Sequence, residues 1–216
     1  MKSLIINPYQ CELNAHVTNK RLEGKYKHIS FTDSIFPLYS ELSIPMEDGI
    51  IGSNRLIRVY MDGDKQVHVF DGQADSQDLK MQVSYEKRIV NIRDISLRLL
   101  ISYACTFLYN RKPYDFKSRD SLDNRLCTFS LDGHFTYSDT EDMLKNLNFL
   151  VQKLISAGLM IKSKNSGLSV KTSLFGVFTC PWIGPHVAFT SEIGSFKLSL
   201  DQIGENKLIM SFELSH

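Results

Sequence analysis

The residue types able to do chemistry gather in two short stretches. One is Ser102-Tyr-Ala-Cys105-Thr106; the other is Cys180-Pro-Trp182-Ile-Gly184-Pro185-His186. A thiolate is a nucleophile and a soft metal ligand, and imidazole is a general base and a ligand. Cys105, Cys180 and His186 could therefore form a Cys-His nucleophile pair or hold a metal. The competing reading is structural: free cysteine is among the most buried residue types, and a lone histidine is more often hydrogen-bonded in place than ligating. Ser102 and Thr106 lie one helical turn apart and add two hydroxyls to one face. Trp182, the only tryptophan, offers either bulk that fills a cavity or a platform on which a base stacks. Thr32 is a further candidate pocket residue. Arg111, Lys112, Lys117 and Arg119, interleaved with Tyr109, Tyr114 and Phe116, are candidates for phosphate contact. Lys20-Arg21 with Lys25 and Lys27, and Lys162 with Lys164, read as solvated faces.

Composition narrows what such residues can serve. The 216 residues carry a formal charge of +1, so no bulk field draws the chain to nucleic acid and any RNA contact must be local. With 43% hydrophobic and 23% charged residues, the chain reads as soluble and globular. Its four cysteines have no CxxC spacing, which indicates neither a disulfide framework nor a zinc ribbon. The start, MKSLIINPYQ, lacks a signal-peptide core and no window approaches a membrane span, so a cytoplasmic protein without a membrane partner is expected.

The elements that must position these residues divide near residue 87, into a β-barrel-like domain (1–86) and an α+β domain (87–216). Upstream, β-prone runs occupy Glu12–Thr18, Lys27–Thr32, Arg55–Met61 and Gln66–Phe70, with a hairpin signal at residues 61 to 64. Polar Gly72–Glu86 reads as a connecting loop. Downstream, Ile92–Asn110 is apolar on almost every side, which predicts a deeply buried helix. Arg125–Ser130 and His134–Tyr137 around Asp132-Gly133 predict a second hairpin. Ser138-Asp-Thr-Glu141 predicts a capping box opening a helix whose core face is Met143, Leu147, Leu150, Val151, Leu154 and Ile155, stopped by Gly158. Strands are expected at Leu174–Cys180, Gly194–Leu200 and Leu208–Leu214, for an α+β fold with helices on an antiparallel sheet.

In that order, several motifs resemble the editing domain of alanyl-tRNA synthetase and its free-standing AlaX relatives. Pro45-Met-Glu47-Asp-Gly49 is similar to the end of a glycine-rich loop there, and His68 in Gln-Val-His-Val to a strand histidine. Arg93–Leu108 resembles the helix bearing the family's His-x-x-x-His. His186-Val-Ala-Phe-Thr190-Ser-Glu192-Ile193-Gly194-Ser-Phe196-Lys197 fits best. The resemblance implies a β-barrel followed by an α+β editing domain, and hydrolysis of mischarged aminoacyl-tRNA through a zinc held by three histidines and a cysteine.

The departures fall on that zinc site. Aligning Ala104 and Leu108 with the family's helix puts Ser102 and Thr106 at two histidine positions, and Trp182 falls at the cysteine. Only His186 remains, and neutral hydroxyls and indole are poor zinc donors. The loop's Gly-Gly-Gln is replaced near Tyr39-Ser40-Glu41-Leu42. No cofactor is therefore expected. What the resemblance implies is a divergent protein acting on or binding an aminoacyl-tRNA acceptor end, not DNA, with zinc-dependent deacylation lost. Two alternatives stand beside it: a metal-independent or remodelled Cys/His hydrolase or acyl transferase on an aminoacyl ester, and a non-catalytic binding module or scaffold.

Overall fold

The structure, a computed structural model, describes residues 7–38, 44–120, 124–164, 167–173, 176–181 and 184–215. The chain divides into two compact units: residues up to 41 with 46–89, and residues 42–45 with 90–216.

In the first unit, β1 (Glu12–Glu23), β2 (Tyr26–Phe31), β3 (Gly49–Ile51), β4 (Asn54–Asp62), β5 (Lys65–Asp71) and β6 (Asp78–Val83) close into a barrel, in the order β1-β2-β5-β4-β3-β6. All its pairings are antiparallel. Strand β6 corrects the expected loop at 72–86. Asp78-Leu-Lys-Met-Gln-Val alternates strictly, burying Leu79, Met81 and Val83, and it pairs with both β1 and β3 to complete the ring. Flanking polar residues hid a period-two signal. Gly63 joins β4 to β5 at φ +62°, a left-handed conformation that costs glycine nothing extra. The barrel core is Ile29, Ile51, Leu56, Phe70 and Met81 with their neighbours. Each such side chain taken from water contributes about 1.5–3 kcal/mol.

His68 shares the Phe70 face of β5 and is fully buried. The Ile29 carbonyl 3.3 Å from its Nδ1 can only accept, so Nδ1 carries the hydrogen and Nε2 accepts from the Ser34 hydroxyl at 2.7 Å. Ser34 Oγ in turn accepts from the Phe36 amide, and the rings of Phe31 and Phe36 stand edge-on to the imidazole. Burial disfavours the imidazolium and brings the pKa down from 6.5 to about 4. The unfolded chain therefore binds the proton more tightly, and neutral His68 contributes stability that is fully present above pH 6.5. That contribution, about 3 kcal/mol for a gap of this size, is lost as pH falls through 6.5 toward 4. Urea titrations of wild type and His68→Phe between pH 4 and 7 should show a steep stability slope in the first and a shallow one in the second. Identical slopes would remove His68 as its source.

The second unit is α+β. Helix α1 (Tyr85–Tyr109) begins at Tyr85 rather than Ile92, and its residues through Ile89 belong to the barrel unit. Every side chain from Val90 to Cys105 is buried except that of Arg93, as expected of a helix apolar on nearly all sides. Asn110, at φ +52°, ends it, and the Arg111 amide reaches back to the Cys105 carbonyl at 3.3 Å. After α1 come β7 (Tyr114–Asp120), β8 (Asn124–Asp132), α2 (Tyr137–Ser156), β9 (Ile161–Lys164), β10 (Gly167–Thr172), β11 (Gly176–Cys180), a 3-10 turn at Thr190–Ile193, β12 (Phe196–Ile203) and β13 (Lys207–Ser215). They form a four-stranded sheet, β12-β13-β8-β7, and a three-stranded sheet, β11-β10-β9, both antiparallel.

Two local expectations are corrected here. Residues 134–136 are irregular and Tyr137 already opens α2, so no hairpin follows Asp132-Gly133; β8 pairs instead with β7 and β13. The helix cap is Thr136, not Ser138. Thr136 lies in the extended region at φ −88° and ψ 162°, accepts from the Asp139 amide, and receives Asp139's carboxylate on its own amide. Both Thr-x-x-Asp and Ser-x-x-Glu fit a capping box; the earlier one forms. The core face of α2 is Thr140, Met143, Leu147, Val151, Leu154 and Ile155, with Leu150 only half-buried. Gly158 turns the chain out at φ +57°.

Candidate functional site

Within the second unit, β10 and β11 pack on α1. Tyr103 meets Phe178 edge-on at 5.3 Å and faces the Thr172 hydroxyl at 3.4 Å. Alternation along β11 then turns Cys180 to the same side as Phe178, beside Ser102 one residue before Tyr103. Burial pushes the Cys180 thiol up to about 12, while the Ser102 hydroxyl and the Lys112 charge act in the opposite direction. Ser102 Oγ is itself buried and has no nitrogen or oxygen partner among the described residues; it faces only sulfur. Unsatisfied buried hydroxyls are uncommon, and this one lies on the helix face singled out from the sequence.

The other candidates have different surroundings. Cys105 is fully buried, and burial alone pushes its thiol up to about 12. Both thiols are thus protonated at neutral pH and are poor nucleophiles as they stand. The Thr106 hydroxyl donates to the Arg111 carbonyl at 3.4 Å and helps close the helix end. His186 is half-buried, donates Nδ1–H to the Val187 carbonyl at 2.8 Å, and is held by burial below the usual histidine range. Thr32 belongs to the barrel unit, where it is exposed just past β2 and its amide donates to the His16 carbonyl. Trp182 and residues 39–43 lie outside the described residues.

Among the described residues no three His, Cys, Asp or Glu side chains come together as a metal-binding group. Cys105, Cys180 and His186 therefore do not form the triplet the sequence left open. Of the described positions that the resemblance assigns to zinc ligands, Ser102 and Thr106 hold neutral hydroxyls, which are poor zinc donors, and Thr106 is already bonded to a carbonyl. His186 has Nδ1 on the Val187 carbonyl, which leaves Nε2 as a donor to zinc.

The stretch from His186 to Lys197 is a set of structural joints. The Val187 amide donates to Ser96 Oγ on α1 at 3.0 Å, and Ser96 donates to the Ile92 carbonyl at 2.6 Å. Thr190 Oγ1 donates to the Leu154 carbonyl at 2.7 Å and accepts from the Leu159 amide at 2.8 Å, tying the end of α2. Glu192 caps the 3-10 turn through the Phe189 amide, and its carbonyl accepts from Arg93 Nε. Gly194 adopts φ +80°, ψ −157°, which only glycine reaches without strain. Ser96 escaped the sequence reading. Its signal was a lone hydroxyl in an apolar helix, able to bond its own i−4 carbonyl.

The basic residues divide. Arg111 donates to the Asp132 carbonyl, and its guanidinium lies 5.0 Å from the Phe135 ring centre. A side chain at Gly133 would collide with it. Lys117 is paired with Asp115 at 2.9 Å. Lys112 and Arg119 are exposed. Two open grooves, of about 580 Å³ beside Asp48, Ile50, Arg55 and Gln82 and of about 490 Å³ beside Tyr137, Leu144, Leu200 and Ile203, are lined by none of the candidate residues.

No family model matches the chain, and no curated protein matches it. Fold and site together define an α+β protein of two units, a closed six-stranded antiparallel barrel and a unit built around a buried helix. In that second unit a polar notch on α1 faces the end of strand β11. Among the described residues no helix is long and apolar enough to cross a membrane.

Proposed function

We propose that the protein binds the aminoacylated acceptor end of a tRNA, as a divergent relative of alanyl-tRNA synthetase editing domains that has given up zinc-dependent deacylation. The observation that carries this reading is Ser102. Its hydroxyl is buried without a nitrogen or oxygen partner among the described residues, at a position where the resemblance puts a zinc ligand. A ligand supplying a carbonyl or an ammonium there, as an aminoacyl ester does, completes a hydrogen bond the free protein lacks. The order of elements, barrel, buried helix, capped helix and Thr190-Ser-Glu192 turn, supports the same reading. A hydrolase working through Cys180 and His186 competes with it, and the burial that keeps the thiol protonated argues against that alternative.

Equilibrium binding of aminoacylated and deacylated tRNA, with a deacylation assay on the same samples, tests the proposal. Wild type should prefer the aminoacylated form and leave its ester hydrolysing at the spontaneous rate, with or without a zinc chelator. Ser102→Ala should erode that preference by about 3–10-fold, the equivalent of one net hydrogen bond. Equal affinity for both forms, or hydrolysis that the chelator abolishes, would overturn the reading.

A further inference from the structure

The formal charge of +1 hides a strong segregation. From Met143 to Ser191 the sequence holds five lysines and no carboxylate, so the negative charges all lie elsewhere. Two of the five are occupied: Lys145 pairs with Asp142 at 3.6 Å, and Lys153 sits over the Phe149 ring. The other three fall on the three-stranded sheet.

That sheet has two unlike faces. Leu168, Val170 and Thr172 of β10 and Phe178 and Cys180 of β11 turn toward α1. On the opposite face, the register sets Lys162 across from Ser169 and Ser169 across from Thr179, with Lys171 across from Val177 in the neighbouring row. Lys162, Lys171, Val177 and Thr179 are exposed, and neither lysine has an ion-pair partner among the described residues. Strands β9 and β11 are the edges of this sheet.

We infer that the outer face of β9–β11, through Lys162 and Lys171, is a docking surface for the phosphodiester backbone of RNA. Cations without internal counter-ions on adjacent strands, beside the exposed Thr179 hydroxyl, suit phosphate oxygens, which accept from both. The Ser169 hydroxyl between them is buried and donates to the Lys162 carbonyl at 3.2 Å. A lipid surface would call for a continuous apolar face beneath the basic one, and among the described residues the exposed apolar side chains here are Val177 and, apart from it, Met160 bridged to Phe189. Lys117, by contrast, already pairs with Asp115, and the Arg111 guanidinium is held on the Asp132 carbonyl and the Phe135 ring. The inference rests on the tRNA reading above and names the surface that reading needs.

Binding of bulk deacylated tRNA to the full chain, measured across a salt series, tests it with two variants. Lys162→Gln/Lys171→Gln should reduce the log–log salt slope by about 1.5, since the counterions released by two phosphate contacts are lost. It should also weaken low-salt binding by roughly tenfold or more, with an unchanged circular-dichroism spectrum. Lys117→Gln/Arg119→Gln should leave the slope intact. If the second variant loses the slope and the first keeps it, the surface is wrong while the tRNA reading stands. If tRNA is not bound at any salt, the functional reading falls and this inference with it. Phosphatidylserine vesicles serve as the control: binding to them rather than to tRNA, lost in the Lys162→Gln/Lys171→Gln variant, would make the partner a lipid and overturn the proposal.

Discussion

Replacing Asp94 with alanine should lower the stability of the protein by about 3–5 kcal/mol, the usual result of stripping one partner from a buried ion pair. Asp94 is fully buried on α1 and stands against two buried guanidinium groups. Arg98, one turn on, donates Nε to Oδ1 at 2.7 Å, and Arg125 of β8 donates Nη1 to Oδ2 at 3.3 Å. Ser118 of β7 donates to the same carboxylate and accepts from Arg98 Nη2 at 2.7 Å. Arg125 also reaches Asp120 at 2.6 Å, but one of its nitrogens has no partner among the described residues. Without Asp94, both guanidinium groups lose its carboxylate, and Arg125 retains Asp120. With total stabilities of about 5–15 kcal/mol, such a loss is a large fraction of the whole. Removing both signs at once, as in Asp94→Leu/Arg98→Met/Arg125→Met, should be much milder, because no buried charge is left over. Urea denaturation of both variants checks this. A single-variant loss below about 1 kcal/mol, the range of exposed pairs, would show that Asp94 is not the counter-ion holding α1 to the sheet.

That cluster also marks where the sequence stopped being readable. Strands β1, β2, β4 and β5 and the core stripe of α2 follow from local periodicity, and the structure places them within a few residues of expectation. The buried run of α1 was legible because it is apolar on every side. Arg88, Arg93, Asp94 and Arg98, however, look in sequence like the solvated flank of a helix, and three of the four are buried. Apart from the Asp94–Arg98 pair, their partners come from distant segments, among them β7, β8, the loop before β3 and the 3-10 turn at Glu192, and no local pattern announces a pairing across tens of residues. The hairpin expected after Asp132-Gly133 failed for a related reason. The turn dipeptide was read as joining two neighbouring strands, whereas β8 takes β13, from the far end of the sequence, as a partner. At the candidate site, the helix face carrying Ser102 and Thr106 was legible from its i, i+4 spacing. That Thr106 would be consumed by the Arg111 carbonyl was not, because it depends on Asn110 adopting a left-handed conformation.

In the barrel unit, the largest expected effect belongs to Arg88, and the two halves of its ion pair should not be equivalent. Arg88 and Glu47 are completely buried and paired at 2.7 Å through both carboxylate oxygens. Such a two-point pair fixes geometry as well as charge. The guanidinium does more than neutralise Glu47: it donates to the carbonyls of Pro8, Gln10 and Ile35. One side chain from the first turns of α1 thus satisfies the segment before β1, the loop after β2 and the loop before β3, none of which has ladder partners for those atoms. Glu47→Gln keeps an acceptor beside the guanidinium and keeps all three carbonyl bonds, so it should cost about 3 kcal/mol, the low end for a broken buried pair. Arg88→Met removes the cation and leaves a buried carboxylate with three carbonyls short of a donor, each worth a further ~1 kcal/mol or more. It should cost about 5 kcal/mol or prevent the barrel from folding. Because that variant is at risk of not folding, the ranking is best read by hydrogen exchange on the milder Arg88→Lys. A single ammonium can hold Glu47 but cannot span all three carbonyls, so amide protection in β1 and β3 should fall. If Arg88→Lys matches wild type in exchange and in urea midpoint, charge alone matters and the carbonyl contacts are incidental. If it falls below Glu47→Gln, the guanidinium's fork is what closes the barrel's open end.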